Sequence, residues 1–288
     1  MNWRHPTGLP ASLVVDRTLV MGVLNVTPDS FSDGGRYDSR TAAVAHGRAL
    51  AAAGADIVDV GGESTRPGAS RVPAADEIDR VAPVVAALAA EGIVVSVDTM
   101  RGEVAAAAVE AGAAIVNDVS GGLADEAMLP TVAALNVPYV AMHWRGFSDR
   151  MDELAVYTDV VGEVVSELAD RAARAVAAGI APDRLIVDPG LGFAKEADHN
   201  WALLQRLDAL ESLGLPVLVG ASRKRFLGSL LADSAGEARA VTDREAATNA
   251  ITAICAARHA WAVRVHEPRA AADAVRVAAA IDAGAARR

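Results

Sequence analysis

The stretch at residues 179–190, GIAPDRLIVDPG, contains the unit that repeats along this chain. A glycine ends an alanine-rich helical pattern, a short apolar run follows at 185–187, and Asp188 comes directly after that run. Runs that are apolar throughout are typical of parallel strands covered on both faces, and glycine is a common stop after a helix. The stretch therefore predicts a helix and then a buried strand, with a carboxylate at the strand's carboxyl end.

Seven more apolar runs of this kind occur along the chain. The eight predicted strands cover residues 19–24, 57–60, 93–97, 114–116, 139–142, 185–187, 217–219 and 262–265. Alanine-rich amphipathic stretches alternate with them and predict eight helices, at 41–53, 75–90, 101–111, 124–135, 158–178, 200–213, 242–259 and 269–283. Eight such units favour a single α/β domain, a (β/α)₈ or TIM barrel, with a doubly wound open sheet as the alternative. We expect residues 1–18 to form an N-terminal lead-in and residues 19–288 the barrel.

Composition excludes several classes of protein. The 288 residues carry a formal net charge of −10, which argues against a general binder of nucleic acid or of anionic membranes. An anionic substrate would therefore need a local group of cations. The single cysteine, Cys255, excludes an intrachain disulfide and is expected to be a small buried side chain. We find no signal-peptide pattern and no apolar run of about 18 residues, so we expect a cytoplasmic protein.

Each predicted strand is followed by polar, charged or glycine residues, and active sites of barrels lie at the carboxyl ends of the strands. A first functional group follows four different strands and consists of Asp98, Asn117, Asp188 and Lys224. Two carboxylates, an amide and an ammonium suit a flat heterocycle that carries both donors and acceptors. The alternative is a charge network that satisfies itself, although four such groups are costly to desolvate without a ligand.

A second group follows the last strand. Arg264 lies at the strand end, His266 lies in the next loop, and Pro268 opens a predicted helix. A guanidinium beside a helix N-terminus forms an anion site, and barrels often bind phosphate near strands seven and eight.

The run Ser222-Arg223-Lys224-Arg225 follows the seventh strand. Side-chain alternation allows only some of these residues to face inward. We predict that Lys224 faces inward, and Arg223 or Arg225 could instead be cations on the surface. A Schiff base on Lys224 is a further alternative, but the neighbouring carboxylates and anion site suit an ionised lysine better.

Long loops follow the first two strands. Paired glycines at 34–35 and 61–62, together with Gly68, permit large changes in φ and ψ, while Pro28 and Pro67 stiffen the segments between them. Such loops suit lids that close over a substrate and exclude water, with ordinary connecting loops as the alternative.

Metal ligation has a weak signature. The sequence contains no His-x-His, no cysteine cluster and no Glu-x-x-His. An Mg²⁺ ion carried by phosphate oxygens and held by one amide, such as that of Asn25, remains open.

Seven segments form an ordered set of signatures. They are GVLNVTPDSFSDGG at 22–35, DVGGESTRPG at 59–68, SVDT at 96–99, NDVSG at 117–121, DPGLGF at 188–193, GASRK at 220–224 and RVH at 264–266. Together they resemble the dihydropteroate synthase family over nearly the whole chain from about Leu19. The resemblance implies a barrel that condenses 6-hydroxymethyl-7,8-dihydropterin diphosphate with 4-aminobenzoate, using Mg²⁺, to give 7,8-dihydropteroate and pyrophosphate in folate biosynthesis.

The resemblance also implies a role for each matching residue. The pterin would be bound by Asp98, Asn117, Asp188 and Lys224. The diphosphate would be held by Asn25, Arg264 and His266, with Mg²⁺ between Asn25 and the leaving group. The 4-aminobenzoate site, which would also take sulfonamides, would consist of Phe31, Thr65, Pro67, Phe193 and Ser222. Asp33 would seat the amine or stabilise a developing cation, so the catalytic candidates are Asp33, Lys224, Arg264 and His266. A homodimer through the last helices is also implied, with packing of the same face inside the barrel as the alternative.

Three other classes of protein remain as alternatives. A catalytically silent paralogue that binds a pterin or a partner protein would be expected to have lost Asn25, Asp33, Ser222 or Arg264, and all four are present. A pterin-binding methyltransferase barrel would need neither long-loop signature. An unrelated isomerase or aldolase barrel would need a positioned general base, for which the sequence offers no dedicated pair.

Overall fold

The structure, a computed structural model, describes residues 3–27, 36–63, 71–147, 151 and 153–285, with only the backbone described at 36–39 and 285. Most of the two long loops therefore lies outside the described residues. The predictions for Phe31, Asp33, Thr65 and Pro67 fall in these parts of the chain.

The described residues form an eight-stranded parallel sheet that curls into a barrel. Its strands are β1 (Leu19–Asn25), β2 (Ile57–Gly61), β3 (Val95–Asp98), β4 (Ile115–Asp118), β5 (Tyr139–Met142), β6 (Leu185–Asp188), β7 (Leu218–Val219) and β8 (Ala262–Val265). The strand order is β6-β5-β4-β3-β2-β1-β8-β7. β6 and β7 meet at one bridge, where Val187 N donates to Pro216 O at 3.0 Å. The predicted barrel is confirmed, and the open sheet is excluded.

Helices surround the sheet. They are α1 (Arg36–Ala52), α2 (Ala74–Ala90), α3 (Gly102–Glu110), α4 (Met128–Leu135), α5 (Val160–Ala177), α6 (Ala197–Gln205), α7 (Leu207–Glu211), α8 (Arg225–Leu230), α9 (Glu245–Ala257) and α10 (Pro268–Ala285). Gly54 and Gly179, which follow α1 and α5, have φ of +104° and +105°, in accord with their predicted role as stops. Cys255 is fully buried, as predicted.

One helix prediction was wrong, and one short helix was missed. The single helix expected at 200–213 is broken at Arg206, whose φ of −112° and ψ of 42° are not helical. The Arg206 side chain instead pairs with Asp208 in the first turn of α7. The short helix α8 was not predicted because six residues are too few to show a helical period.

Alternation along the strands gives the barrel interior two zones. At the amino-terminal end the inward side chains are apolar, and they include Ile57, Ile115, Ile186 and Ala262. Two residues further along the same strands, the inward positions carry Asp59, Asn117, Asp188 and Arg264. The interior is therefore a packed apolar plug beneath a polar mouth.

The lead-in packs against the amino-terminal end of the barrel. Thr7 N donates to Asp183 O at 2.7 Å, and Leu13, in a short 3₁₀ helix (Ala11–Leu13), joins the apolar plug with 2% of its surface exposed. The proposed boundary at residue 18 stays a prediction. Across the described ranges, no helix combines the length and the apolar character needed to span a membrane.

Candidate active site

Four polar side chains from β2, β3, β4 and β8 form one network in the barrel mouth. Arg264 Nε donates to Asp59 Oδ2 at 2.6 Å, and Arg264 Nη2 donates to Asp98 Oδ2 at 2.6 Å. Asn117 Nδ2 donates to the same Asp59 oxygen at 3.0 Å. Asp59 and Asn117 are buried, whereas the Arg264 side chain keeps 24% of its surface exposed. The network holds a guanidinium and an amide in place while part of the guanidinium still faces the mouth.

The electrostatics of this network favour a ligand edge that carries both donors and acceptors. Burial raises the pKa of Asp98 to about 7, although Arg264 acts in the opposite direction. Burial disfavours the charge on Arg264, but Asp59 and Asp98 outweigh it and raise the pKa of the guanidinium. Near neutral pH the Asp98 carboxyl can therefore accept a hydrogen bond or donate one.

The other half of the mouth carries Asp188 and Lys224. Asp188 is 6% exposed, and its Oδ1 accepts from Gly190 N at 2.7 Å. Gly190 has a φ of +65°, and a Cβ there would lie 2.1 Å from the His143 carbonyl oxygen, so only glycine fits. Lys224 Nζ donates to Leu191 O in the same turn. Burial lowers the pKa of Lys224 to about 8, and Asp188 acts in the opposite direction.

An apolar cluster lines the mouth beside these polar groups. It consists of the buried side chains Met100, Val119, Met142 and Trp144, with Phe193 packed against them. The Lys224 ammonium lies 4.6 Å from the centre of the Phe193 ring. An apolar wall next to a few converging polar groups is the usual construction of a site for a flat heterocycle.

Ser222 and His266 form a pair at the ends of β7 and β8. Ser222 Oγ lies 2.9 Å from His266 Nδ1 and accepts from His266 N at 3.2 Å. Arg223 takes a left-handed conformation, with φ of +60°, and its side chain pairs with Glu245 and Glu267. Its guanidinium is therefore bound by carboxylates at the start of α9 and just before α10, and the side chain keeps 23% of its surface exposed.

The structure groups the predicted anion-binding residues differently from the sequence. Sequence reasoning placed Arg264 with His266 on the diphosphate and Ser222 at the arylamine. In the structure, Arg264 is tied to two carboxylates and His266 is tied to Ser222. A diphosphate role for Arg264 therefore depends on the guanidinium donors that Asp59 and Asp98 do not use.

Asn25, the predicted Mg²⁺ ligand, ends β1 and lies in register with Gly61 of β2. The described parts of the chain bring no three His, Cys, Asp or Glu residues together in a way that could hold a metal ion. Mg²⁺ usually keeps several waters and binds through one or two protein oxygens plus substrate phosphates. A single amide therefore fits an ion that arrives with a diphosphate.

Several polar residues at the site were not singled out from the sequence. Asp59 stands two residues after Ile57 on β2, the same spacing that separates Ile186 from Asp188, so strand alternation was a usable signal. Lys195 and His143 lie behind the Asp188 turn and are almost fully buried. Lys195 is one of only two lysines in the chain, which is a compositional signal of its own.

Buried ion pairs anchor the start of the second long loop, and they too escaped the sequence analysis. Arg101 Nη1 donates to Glu63 Oε2 at 2.8 Å and also to Glu77, which is 1% exposed. Thr99 Oγ1 donates to Glu77 Oε1 at 2.7 Å. The last described residue before the loop is thus fixed to the carboxyl end of β3.

Comparison with known proteins agrees with this architecture. The profile of the family described as "Pterin binding enzyme" matches residues 21–266. The dihydropteroate synthase of Mycobacterium leprae is 56% identical over 262 residues, which cover 91% of this chain and 92% of that protein.

Solved structures show the same fold. The Xanthomonas albilineans dihydropteroate synthase with 4-aminobenzoic acid superposes with a TM-score of 0.84, at 46% identity over 93% of this chain and 94% of that one. The Yersinia pestis dihydropteroate synthase with a sulfonamide drug gives 0.87, at 37% identity over 98% and 99%. The chain belongs to the dihydropteroate synthase family of pterin-binding enzymes.

Proposed function

We propose that this chain is a transferase that joins 6-hydroxymethyl-7,8-dihydropterin diphosphate to 4-aminobenzoate. The observation that carries the proposal is the convergence of Asp98, Asn117, Asp188 and Lys224 on one barrel mouth beside an apolar wall. If these charged groups only paired with one another and bound no ligand, the apolar side chains beside them would have no role. The ligands and names of the solved relatives point to the same reaction.

The polar groups would bind the pterin by its edge. The Asp98 and Asp188 carboxyls face the amino and ring N–H groups, Asn117 offers both a donor and an acceptor, and Lys224 donates to a ring acceptor. The flat ring lies against Met142, Val119 and their neighbours. This orientation aims the exocyclic methylene carbon out of the mouth, where the second substrate arrives.

The reaction forms a C–N bond and breaks a C–O bond and an N–H bond. The arylamine nitrogen attacks the methylene carbon, the electrons of the C–O bond leave with pyrophosphate, and the amine proton passes to the released pyrophosphate or to solvent. A neutral arylamine is already a nucleophile, so catalysis depends on orientation and on stabilising charge rather than on a covalent intermediate. Closed loops would keep water from the electrophilic carbon.

The diphosphate would lie at Asn25, His266 and the free donors of Arg264. An Mg²⁺ ion held between Asn25 and the diphosphate would neutralise charge on the leaving oxygens. We assign 4-aminobenzoate to Phe193 and Ser222 together with the loop residues Phe31, Thr65 and Pro67, and we assign Asp33 to the amine or the developing cation.

The direct test is incubation of the purified protein with both substrates and Mg²⁺. We expect dihydropteroate and pyrophosphate in equal amounts, loss of turnover on chelation of Mg²⁺, and competition by sulfonamides against 4-aminobenzoate. Absence of turnover by well-folded protein would contradict the proposal and favour the silent paralogue.

We also propose that the protein is a homodimer through α9 and α10. These helices pack together and expose Ile254, Val277 and Ile281, of which Val277 and Ile281 are 60% and 67% exposed. Analytical ultracentrifugation of the wild type and of Ile281→Glu tests this, since a dimer that used this face would dissociate in the variant. The cytoplasmic location stays a prediction.

A further inference from the structure

The chain contains 25 arginines but only two lysines, Lys195 and Lys224. Both amines bind backbone carbonyls of one turn, the segment Asp188–Ala194 after β6. Lys224 belongs to the proposed pterin site, whereas nothing in the proposed function uses Lys195.

Lys195 is buried beneath this turn with three acceptors around its amine. Its Nζ lies 2.8 Å from His143 Nδ1, 3.1 Å from Gly190 O and 3.1 Å from Phe193 O. An ammonium has three N–H donors, so each acceptor receives one hydrogen bond, whereas a neutral amine has only two to offer. The contacts therefore suit the charged form, although the side chain is 3% exposed.

His143 connects this amine to α5. Because Nδ1 faces the Lys195 ammonium, the ring proton belongs on Nε2, which lies 3.2 Å from Glu167 Oε2. Glu167 is also bound by Arg145 at 2.5 Å. Burial lowers the pKa of His143 to about 4, so the ring is neutral at physiological pH.

The turn itself needs outside support. Ala194 has a φ of +47°, an uncommon conformation for a residue with a side chain. Tyr157 donates its hydroxyl to Ala194 O at 3.0 Å, and Lys195 holds the carbonyls on either side of the Gly190–Phe193 turn. Gly190 O also accepts from Phe193 N at 3.0 Å, so the carbonyls that would lose their donor without Lys195 and Tyr157 are those of Phe193 and Ala194, and leaving them unpaired would be costly.

We propose that Lys195 and His143 are positioning residues that hold the Asp188–Ala194 turn in the shape that binds substrate. Through this turn they set the places of Asp188, of the Phe193 ring and of the carbonyl that binds Lys224. The inference rests on the proposed function for its substrates, but the amine and its contacts can be tested without them.

The kinetic test compares Lys195→Met with Arg258→Met. Arg258 is a matched control because it also donates to two backbone carbonyls, Leu204 O and Gln205 O, but at the far end of the barrel. A misplacement of about 1 Å costs on the order of 10²-fold, so we expect Lys195→Met to lower kcat/KM by about that factor, with KM for 4-aminobenzoate raised. Arg258→Met should stay within about twofold of the wild type.

Two different results distinguish a failure of the proposed function from a failure of the positioning role. An inactive wild type contradicts the proposed function. An active wild type with unchanged KM values in a folded Lys195→Met overturns the positioning role. If Lys195→Met does not fold, His143→Asn is the second variant, because it keeps an acceptor near the Nδ1 position but removes Nε2. We expect His143→Asn to raise KM for 4-aminobenzoate. Wild-type KM values in this variant would overturn the positioning role.

A spectroscopic test uses the rarity of lysine. Protein labelled with ¹³C at the lysine ε carbon should give two side-chain resonances, assigned by the loss of one in Lys195→Met. Burial lowers the pKa of Lys195 to about 7, and the charged groups that act on it are Lys224, Asp188, Arg145 and Glu167, with neutral His143 in contact.

We expect one resonance to titrate near pH 7 and KM for 4-aminobenzoate to rise above that pH in the wild type but not in Lys195→Met. A Lys195 resonance with the line width and chemical shift of a mobile, solvent-exposed lysine would overturn the buried contact set and the inference with it.

Discussion

The two halves of the barrel mouth are built in different ways. On β2, β3, β4 and β8, side chains bind one another, because Arg264 bridges Asp59 and Asp98 and Asn117 joins them. On the side of β5, β6 and β7, the amines of Lys195 and Lys224 bind backbone carbonyls of a single turn. We call these the carboxylate half and the turn half.

The two halves show two ways of holding polar groups in place before a ligand binds. In the carboxylate half Arg264 is held by two carboxylates and Asn117 by one of them, so removal of one group leaves a buried partner unpaired. In the turn half, cations bind the backbone, and Asp188 uses only Oδ1 to accept from Gly190 N, which leaves Oδ2 to meet a ligand. Changes in the carboxylate half should therefore act first on stability, and changes in the turn half first on substrate binding.

The largest effect is expected for Arg264→Ala. The variant leaves Asp59 and Asp98 without their shared cation, and breaking a buried ion pair costs about 3–5 kcal/mol. Urea denaturation should show this loss in the free energy of unfolding. Arg276→Ala, which removes an exposed ion pair with Asp273, is the control and should change it by less than about 0.5 kcal/mol.

The same Arg264 variant tests the anion role. We expect turnover to fall far more than the affinity for a pterin that lacks the diphosphate. Equal losses in both measurements would contradict a contact between Arg264 and the leaving group.

The next largest effect is expected for Asp188→Ala. Loss of one positioned polar contact to a reacting substrate commonly costs about 10²–10³-fold in rate, and we expect kcat/KM to fall by that factor with modest loss of stability. Asp118→Asn is the contrast, because Asp118 lies outside the mouth and binds Tyr139 and the Ser120–Gly122 turn. That variant should lose stability while KM stays near the wild-type value.

The pH dependence of stability should distinguish Asp98 of the carboxylate half from Lys195 of the turn half by its sign. The pKa of Asp98 is raised to about 7, so between about pH 4 and 7 the folded state binds more protons than the unfolded state and stability falls as pH rises. The pKa of Lys195 is lowered to about 7, so above pH 7 the unfolded state binds more protons and stability rises toward pH 10. Asp188 and Lys224 contribute to the same two limbs, because burial raises the pKa of Asp188 and lowers that of Lys224 to about 8. Denaturation at a series of pH values should therefore show that Asp98→Asn reduces the slope of the first limb and Lys195→Met reduces the slope of the second. A change in the opposite limb for either variant would contradict this comparison.

The smallest effect is expected for Asp159→Ala at the N-terminus of α5. Asp159 accepts from Gly162 N at 3.1 Å, and loss of such a cap costs about 1 kcal/mol. α5 supplies Glu167 to the turn half, but Arg145 still binds that carboxylate, and His143 Nε2 lies 3.2 Å from it. Thermal denaturation should show the loss while KM for 4-aminobenzoate is unchanged; a raised KM would mean that the turn half depends on the helix cap as well.

The features that depend on local sequence pattern were predicted correctly. Short apolar runs marked all eight strands, and glycines marked the ends of helices, because both depend on neighbours along the chain. Sequence reasoning missed Asp59, although the alternation that exposes Asp188 to the mouth also exposes Asp59. It missed Lys195 and His143 because their role arises from a contact between segments that follow β5 and β6, and the two residues are 52 positions apart in the chain.

By itself, the sequence determined that the protein is a barrel and which end of it carries polar side chains, since strand number and two-residue alternation are local properties. Only the tertiary structure decided which polar groups pair. Closure of the sheet sets β8 beside β1, and this brings Arg264 to Asp59 and Asp98 across 205 and 166 residues of chain. Pairing inside the mouth follows distance and desolvation in the folded barrel, and neither quantity can be read from spacing along the chain.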